Sequence, residues 1–231
     1  MRKIRLFCLP YAGGNANIYF NWRKSLEKYI ELCPLELAGR GRRYEEPFYE
    51  TLDDAIEDIY NIMKDQIKNI EFAFYGHSMG SIIAYELVLR FQERLGIIPK
   101  HVFFSGHRAP NVASKDKKTY FLPDEEFKNE VLKLGGTPKE ILENAELVEF
   151  FLPLLRADFK IIENYCYQDK KNKLNCDITV LNGKKDDLTL NDIVEWRNHT
   201  NGQCKIIMLD GGHFFINDNT ENIVNIINNT L

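Results

Sequence analysis

The stretch Gly76-His77-Ser78-Met79-Gly80 constrains this chain more than any other. An apolar run, Phe72-Ala73-Phe74-Tyr75, precedes it, and a mostly apolar stretch from Ser81 to Phe91 follows. Strand, five-residue turn and helix are the context in which a G-x-S-x-G match is a nucleophile elbow. The chain must reverse sharply, which forces the serine into a strained backbone conformation. Side chains two residues either side of it would collide with the neighbouring strand and helix, so both positions are glycine. Ser78 then projects its hydroxyl above the sheet edge. The N–H of Met79, at the helix start, points into the same space and can bind an oxyanion. The five residues alone also fit a structural turn with a bystander serine; the flanking strand and helix favour the elbow.

The rest of the chain reads as an α/β fold with a mostly parallel sheet of about six to seven strands. Ile4–Leu9 is a buried strand that ends in Pro10-Tyr11-Ala12-Gly13-Gly14. Glycine pairs directly after a strand permit close backbone approach to a ligand, so the N–H of Ala12 is a candidate second oxyanion donor; the alternative is an ordinary strand-to-helix turn. Ile18–Leu26 reads as helical. Leu32–Leu37 is a second strand, and Pro34 within it suits a sheet edge. It runs into Gly39-Arg40-Gly41-Arg42-Arg43, whose arginines fit either an anion such as phosphate or a loop tied by salt bridges.

Thr51–Ile67 is an amphipathic helix, with Leu52, Ala55, Ile56, Ile59, Met63 and Ile67 at three/four spacing and Asp54 placed to cap with Thr51. His101–Ser105 is the next strand, and the one after it is Asp177–Leu181. The gap between them far exceeds the helix of one crossover. It holds helical pieces at Asp124–Leu134, Pro138–Leu142, Ala145–Phe151 and Leu154–Tyr165. Residues 111–152 are therefore expected to form a lid within a single domain spanning 1–231, with Gly135-Gly136 as a flexible point. Phe121, Phe127, Leu132, Leu134, Phe150 and Phe151 either line an acyl-sized pocket there or only pack the lid onto the body. A helix at Asn191–Asn198, a last strand at Lys205–Leu209 and a helix at Thr220–Leu231 complete the chain.

Serine at neutral pH needs a base to accept its proton and a carboxylate to orient that base. In this fold the order along the chain is serine, acid, histidine, and the partners follow parallel strands at the elbow's edge of the sheet. Five histidines compete. His77 is inside the elbow, His101 begins a strand, His107 precedes every acid candidate, and His199 ends a helix on the opposite edge. His213 follows the last strand, just beyond Gly211-Gly212. For the acid, Asp186 and Asp187 both follow Asp177–Leu181, and spacing does not choose between them.

Composition narrows the context. A formal charge of −4 argues against a nucleic-acid partner. No apolar stretch approaches the ~20 residues of a membrane span, and Met1-Arg2-Lys3 leads into an apolar run too short for a signal peptide. Five scattered cysteines without C-x-x-C spacing read as reduced thiols of a cytoplasmic protein. No metal-ligand cluster is visible.

Taken together, the chain resembles the type II thioesterases of the α/β-hydrolase superfamily, the stand-alone enzymes that accompany nonribosomal peptide and polyketide synthases. The resemblance is carried by Phe7 to Gly14, Gly39-Arg40-Gly41-Arg42, the elbow, Leu154-Leu155-Arg156-Ala157-Asp158 with Tyr165, Gly183 to Asp186, and Gly211-Gly212-His213. These segments run in order across nearly the whole chain, and the Pro-Tyr-Ala-Gly-Gly and Leu-Leu-Arg-Ala-Asp segments are the most particular. The resemblance implies a triad of Ser78, Asp186 and His213, since the family acid lies three residues after the glycine. It also implies an oxyanion hole of the Ala12 and Met79 N–H groups. Tyr11, Arg40 and Phe214 are the candidates for substrate binding. The implied substrate is an acyl group held as a thioester on the phosphopantetheine arm of an acyl or peptidyl carrier protein. Hydrolysis of stalled or aberrant acyl groups would restore the assembly line. No cofactor of the enzyme itself is expected, and the enzyme is expected to be a monomer. Carrier proteins are usually acidic, so Arg40, Arg42 and Arg43 are candidates for a compensating basic area. The competing readings are a generic carboxylesterase or an acyltransferase on the same fold, and a non-catalytic binding protein of hydrolase fold.

Overall fold

The computed structural model describes residues 3–114, 117–137, 139–169 and 172–231; Met1, Arg2 and Pro138 lie outside them. Six strands form the sheet: β1 (Ile4–Leu9), β2 (Ile30–Pro34), β3 (Glu71–His77), β4 (His101–Ser105), β5 (Asp177–Gly183) and β6 (Cys204–Leu209). Their order is β2-β1-β3-β4-β5-β6, and every neighbouring pair is parallel.

Parallel strands are buried on both faces, so successive side chains feed two separate cores. Phe7, Leu9, Phe72, Phe74, Val102, Phe104, Ile178 and Val180 face one. They meet α1 (Leu52–Met63), α2 (Met79–Leu95) and Trp196. Leu6, Cys8, Ala73, Tyr75, Phe103 and Leu181 face the other, against Tyr19 and Trp22 of a 3-10 helix (Ala16–Lys24) and the C-terminal helix. α1 starts as its sequence requires: Thr51 accepts from the Asp54 N–H, and the Asp54 carboxylate accepts from the Thr51 N–H. Pro34 ends the edge strand β2, where its missing N–H costs no ladder bond.

The register sets the functional edge. Leu9 pairs with Gly76, His77 with Ser105, Ser105 with Leu181 and Gly183 with Leu209. The loops after β1, β3, β5 and β6 therefore open side by side at the carboxyl end of the sheet, where open α/β sheets bind ligands.

Between β4 and β5 lie α3 (Asp124–Leu134), α4 (Lys139–Glu143) and α5 (Ala145–Glu163). Phe127, Val131, Leu142, Leu152 and Leu155 tie them into a third apolar cluster. Several boundaries differ from the sequence reading: β2 is Ile30–Pro34 and not Leu32–Leu37, α1 ends at Met63 and not Ile67, the Ile18–Leu26 segment is a 3-10 helix over Ala16–Lys24, and the last helix between β4 and β5 is undivided. The helix does not break before Leu154: α5 continues through Pro153. A proline inside a helix costs about 3 kcal/mol. Here its ring is tolerated because Leu152, Leu154, Leu155, Asp158 and Ile161 anchor the same helix on its buried side. Residue 152 is accordingly mid-helix. α6 (Leu190–Val194), a following 3-10 turn (Glu195–His199), α7 (Phe215–Asp218) and α8 (Thr220–Thr230) complete the chain. Among the described residues no helix is long and apolar enough to cross a membrane.

Candidate active site

Ser78 sits between β3 and α2 with φ 52° and ψ −119°, a conformation that L-residues rarely adopt. The neighbouring glycines are required by contact. A Cβ on Gly76 would stand 2.2 Å from the Gly80 carbonyl oxygen, and one on Gly80 would stand 2.3 Å from the Leu9 carbonyl oxygen. The second approach also brings the end of β1 against the first turn of α2.

Ser105 at the end of β4 holds the strain in place. Its carbonyl accepts from the Ser78 N–H at 2.7 Å and from the Ser81 hydroxyl at 3.0 Å, and the Ser81 oxygen accepts from the Ser105 N–H. The Ser105 hydroxyl accepts from the Tyr75 hydroxyl and donates to Nδ1 of His77, each at 2.8 Å. Burial and then the nearby His213 hold His77 well below the usual imidazole range, so it is neutral beneath the site. Neither Ser81 nor Ser105 carries a sequence signal; only the register of β3 on β4 reveals them.

His213 lies in the loop after β6. Its Nε2 is 3.1 Å from the Ser78 hydroxyl oxygen, and its Nδ1 is 3.1 Å from Oδ2 of Asp186. The Asp186 carboxylate is nearly buried, whereas Asp187 is exposed. Backbone contact sets the position of Asp186. A Cβ on Gly183 would meet the Gly212 carbonyl oxygen at 2.3 Å, and the Lys185 N–H donates to the Gly211 carbonyl at 2.9 Å. The loops after β5 and β6 thus lie backbone to backbone, which puts residue 186 beside residue 213.

The other histidines are committed elsewhere. His101 pairs with Thr179, and His199 with Tyr85 and Asn111. Nδ1 of His107 donates to the Arg108 carbonyl, and burial pushes His107 down to about 4. Asp210 binds Lys184 at the surface, and Asp177 accepts from the Gln203 N–H at the far end of β5.

Met79 is the first residue of α2, where an N–H has no intrahelical acceptor. In the loop after β1, the Gly14 N–H donates to Tyr11 and the Gly13 N–H to Asp158. Among the described residues, the Ala12 and Met79 N–H groups have no protein acceptor. Tyr11 and Phe214 meet edge to face at 4.8 Å between ring centroids, and Phe214 lies 5.2 Å from the His213 ring. A Cβ on Gly136, between α3 and α4, would strike the Phe214 ring at 2.0 Å.

Arg40 does not face a ligand. Its side chain is 3% exposed, and its NH1 and NH2 groups donate to the two carboxylate oxygens of Asp158 at 2.6 and 2.7 Å. Arg43 is taken by Glu46, Asp58 and Tyr49. The anion-binding reading of this loop therefore fails for both, and the salt-bridge alternative holds; Arg42 alone of the three is exposed. Of the lid aromatics, Phe127 is buried under Phe159 and the Arg156 guanidinium, whereas Phe121 and Phe150 are 65% and 79% exposed. Among the described residues no cluster of His, Cys, Asp and Glu side chains could hold a metal ion.

A parallel sheet with a strained serine at a strand-to-helix turn, hydrogen-bonded to a histidine that meets a buried carboxylate, defines the α/β-hydrolase class. Comparison with known proteins narrows the class. The thioesterase domain family matches residues 4–231, and the chain belongs to that family. It is 40% identical to the linear gramicidin dehydrogenase LgrE of Brevibacillus parabrevis, over 99% of this chain and 88% of that protein. Among solved structures, ClbQ from the colibactin NRPS/PKS pathway superposes with a TM-score of 0.94 at 37% identity, covering 99% of this chain and 96% of that one. The type II thioesterase BorB from the borrelidin biosynthetic cluster gives 0.89 at 30% identity, covering 99% and 92%.

Proposed function

We propose that this protein is a type II thioesterase that hydrolyses stalled or aberrant acyl groups from the phosphopantetheine arm of carrier proteins in a nonribosomal peptide or polyketide pathway. The observation that carries the reading is the hydrogen-bonded line from Ser78 through His213 to Asp186, in a chain of the thioesterase family. Membership of ClbQ and BorB in such pathways supports the substrate class.

In this reading His213 Nε2 takes the Ser78 proton as the serine oxygen attacks the thioester carbonyl. Asp186 keeps the other imidazole proton on Nδ1 and stabilises the cation that forms. The N–H groups of Met79 and Ala12 receive the oxyanion. The tetrahedral adduct collapses, the pantetheine sulfur leaves with the proton from His213, and the acyl group stays on Ser78. Water then attacks that ester while His213 takes its proton; the bond to the Ser78 oxygen breaks, His213 returns the proton to that oxygen, and the free acid leaves. The described residues of the 111–152 segment act as a lid over this edge. Gly136 on the Phe214 ring is its contact with the catalytic loop, and the exposed Phe121 and Phe150 are its apolar surface.

The name of LgrE suggests a different chemistry. The stretch nearest a dinucleotide fingerprint here is Gly39-Arg40-Gly41-Arg42-Arg43-Tyr44, with tyrosine where the third glycine belongs. It opens a three-residue 3-10 turn, not a helix that could cradle a pyrophosphate. Hydrolysis therefore remains the reading. Its test compares wild type and Ser78→Ala on an acyl-loaded carrier protein and on an oxygen ester of the same acyl group. Wild type should prefer the carrier thioester and the variant should lose both activities. A variant at near-full rate, or a wild type that prefers the oxygen ester, would overturn the assignment.

A further inference from the structure

The Arg40–Asp158 pair is the most deeply buried ion pair among those described, at 3% and 2% side-chain exposure, and the mechanism above does not use it. It joins three segments distant in sequence. Arg40 follows β2, Asp158 lies in α5, and both end on the loop after β1. The Gly13 N–H donates to Oδ2 of Asp158 at 2.7 Å, and Arg40 donates to the Gly14 carbonyl at 3.1 Å. Gly13 has φ +78°, and a Cβ there would strike Leu155 of α5 at 2.5 Å. Two backbone groups of this loop thus terminate on a fixed, fully desolvated pair of charges. The adjacent Ala12 N–H is left without a protein acceptor among the described residues.

From this geometry we infer that Arg40 and Asp158 are positioning residues for the oxyanion hole. They hold the loop so that the Ala12 N–H stays aimed at the developing negative charge. A donor acts on a transition state only if it is in place beforehand, and its loss typically costs about 10²–10³ in kcat. A buried ion pair is weak evidence of stability by itself, because apolar replacements of similar volume are often as stable. Two roles are therefore separable. A pair that only packs the fold can be replaced; a pair that aims the loop cannot, because an apolar side chain does not accept the Gly13 N–H. The inference rests on the thioesterase reading.

The experiment uses the double variant Arg40→Met, Asp158→Leu and the single variant Asp158→Asn. It measures melting temperature, kcat and KM on an acyl-pantetheine thioester, and inhibition by a trifluoromethyl ketone with the same acyl chain. That ketone adds the serine oxygen and places an oxyanion in the hole. The double variant should stay folded, with its melting temperature lowered by the unpaired Gly13 N–H, lose about 10²-fold in kcat with KM within about threefold, and lose ketone affinity in the same proportion. Asp158→Asn keeps an oxygen for the Gly13 N–H, so its kcat and ketone affinity should fall together by only about tenfold. A double variant that regains both melting temperature and kcat, or loses kcat with unchanged ketone affinity, would overturn the inference. If the double variant does not fold, Asp158→Asn decides: wild-type kcat and ketone affinity refute the role, and a joint fall at constant KM supports it. A wild-type protein without thioesterase activity would defeat the functional reading instead.

Discussion

Gly76→Ala adds one methyl group beneath the elbow, and its consequences follow from the contacts. The new Cβ would lie 2.2 Å from the Gly80 carbonyl oxygen, 2.4 Å from the Gly80 carbonyl carbon and 2.7 Å from the Ser81 nitrogen. All three are backbone atoms of the first turn of α2, so no side chain can swing aside. Strand and helix must part by about 0.8 Å to reach even a 3.0 Å contact. Overpacking of this kind costs about 1–3 kcal/mol. At about 2 kcal/mol the melting temperature falls by about 4–8 °C for a chain of this size. The same turn carries Ser78 and the Met79 N–H, and displacing a reacting group by about 1 Å costs about 10² in rate. Thermal melts and kcat/KM on an acyl thioester read both quantities. Gly212→Ala is the control: beside His213, its Cβ would meet only the Lys185 carbonyl oxygen at 3.8 Å. It should melt within about 2 °C of wild type and keep its rate within about threefold. A Gly76→Ala protein as stable and as active as Gly212→Ala would refute the steric account of the elbow.

Two further outcomes are expected. Asp186→Asn should lower kcat by about 10³–10⁴, because an amide can hold His213 in the wrong tautomer, while Asp187→Asn stays near wild type in the same assay; the reverse ranking would reassign the acid. Stability should fall in mild acid. Burial pushes His101 down to about 4, so between pH 6.5 and about 4 the unfolded chain binds the extra proton and stability decreases as pH falls. At pH 5 this one residue accounts for about 2 kcal/mol relative to pH 7, with His107 acting in the same direction. Urea unfolding at the two pH values measures it, and His101→Gln should flatten the dependence.

Much of the fold is legible in the amino-acid sequence alone. Apart from the edge strand β2, which starts at Ile30 and stops at Pro34, the strands begin and end close to the apolar runs that mark them, because parallel strands buried on both faces leave continuous signals. His213 emerges by elimination because topology restricts where a base can sit. The choice between Asp186 and Asp187 is not legible from the residues, since it depends on the Gly183–Gly212 backbone contact between two loops. The role of Arg40 is hidden for a similar reason. An arginine between glycines looks available to an anion until Asp158, 118 residues later, is brought against it. Pro153 misleads in the opposite direction: the local penalty is real, but tertiary burial of α5 outweighs it.

The central claim is that Ser78 takes the acyl group from a carrier-bound thioester before water releases it. A carrier protein loaded with an acyl group, mixed with the enzyme, quenched in acid within milliseconds and digested, tests this directly by mass spectrometry. The account predicts the acyl mass on the peptide containing Ser78, appearing before the free acid and absent from Ser78→Ala. Free acid produced at full rate with the mass never on Ser78, or found on another residue, would contradict it.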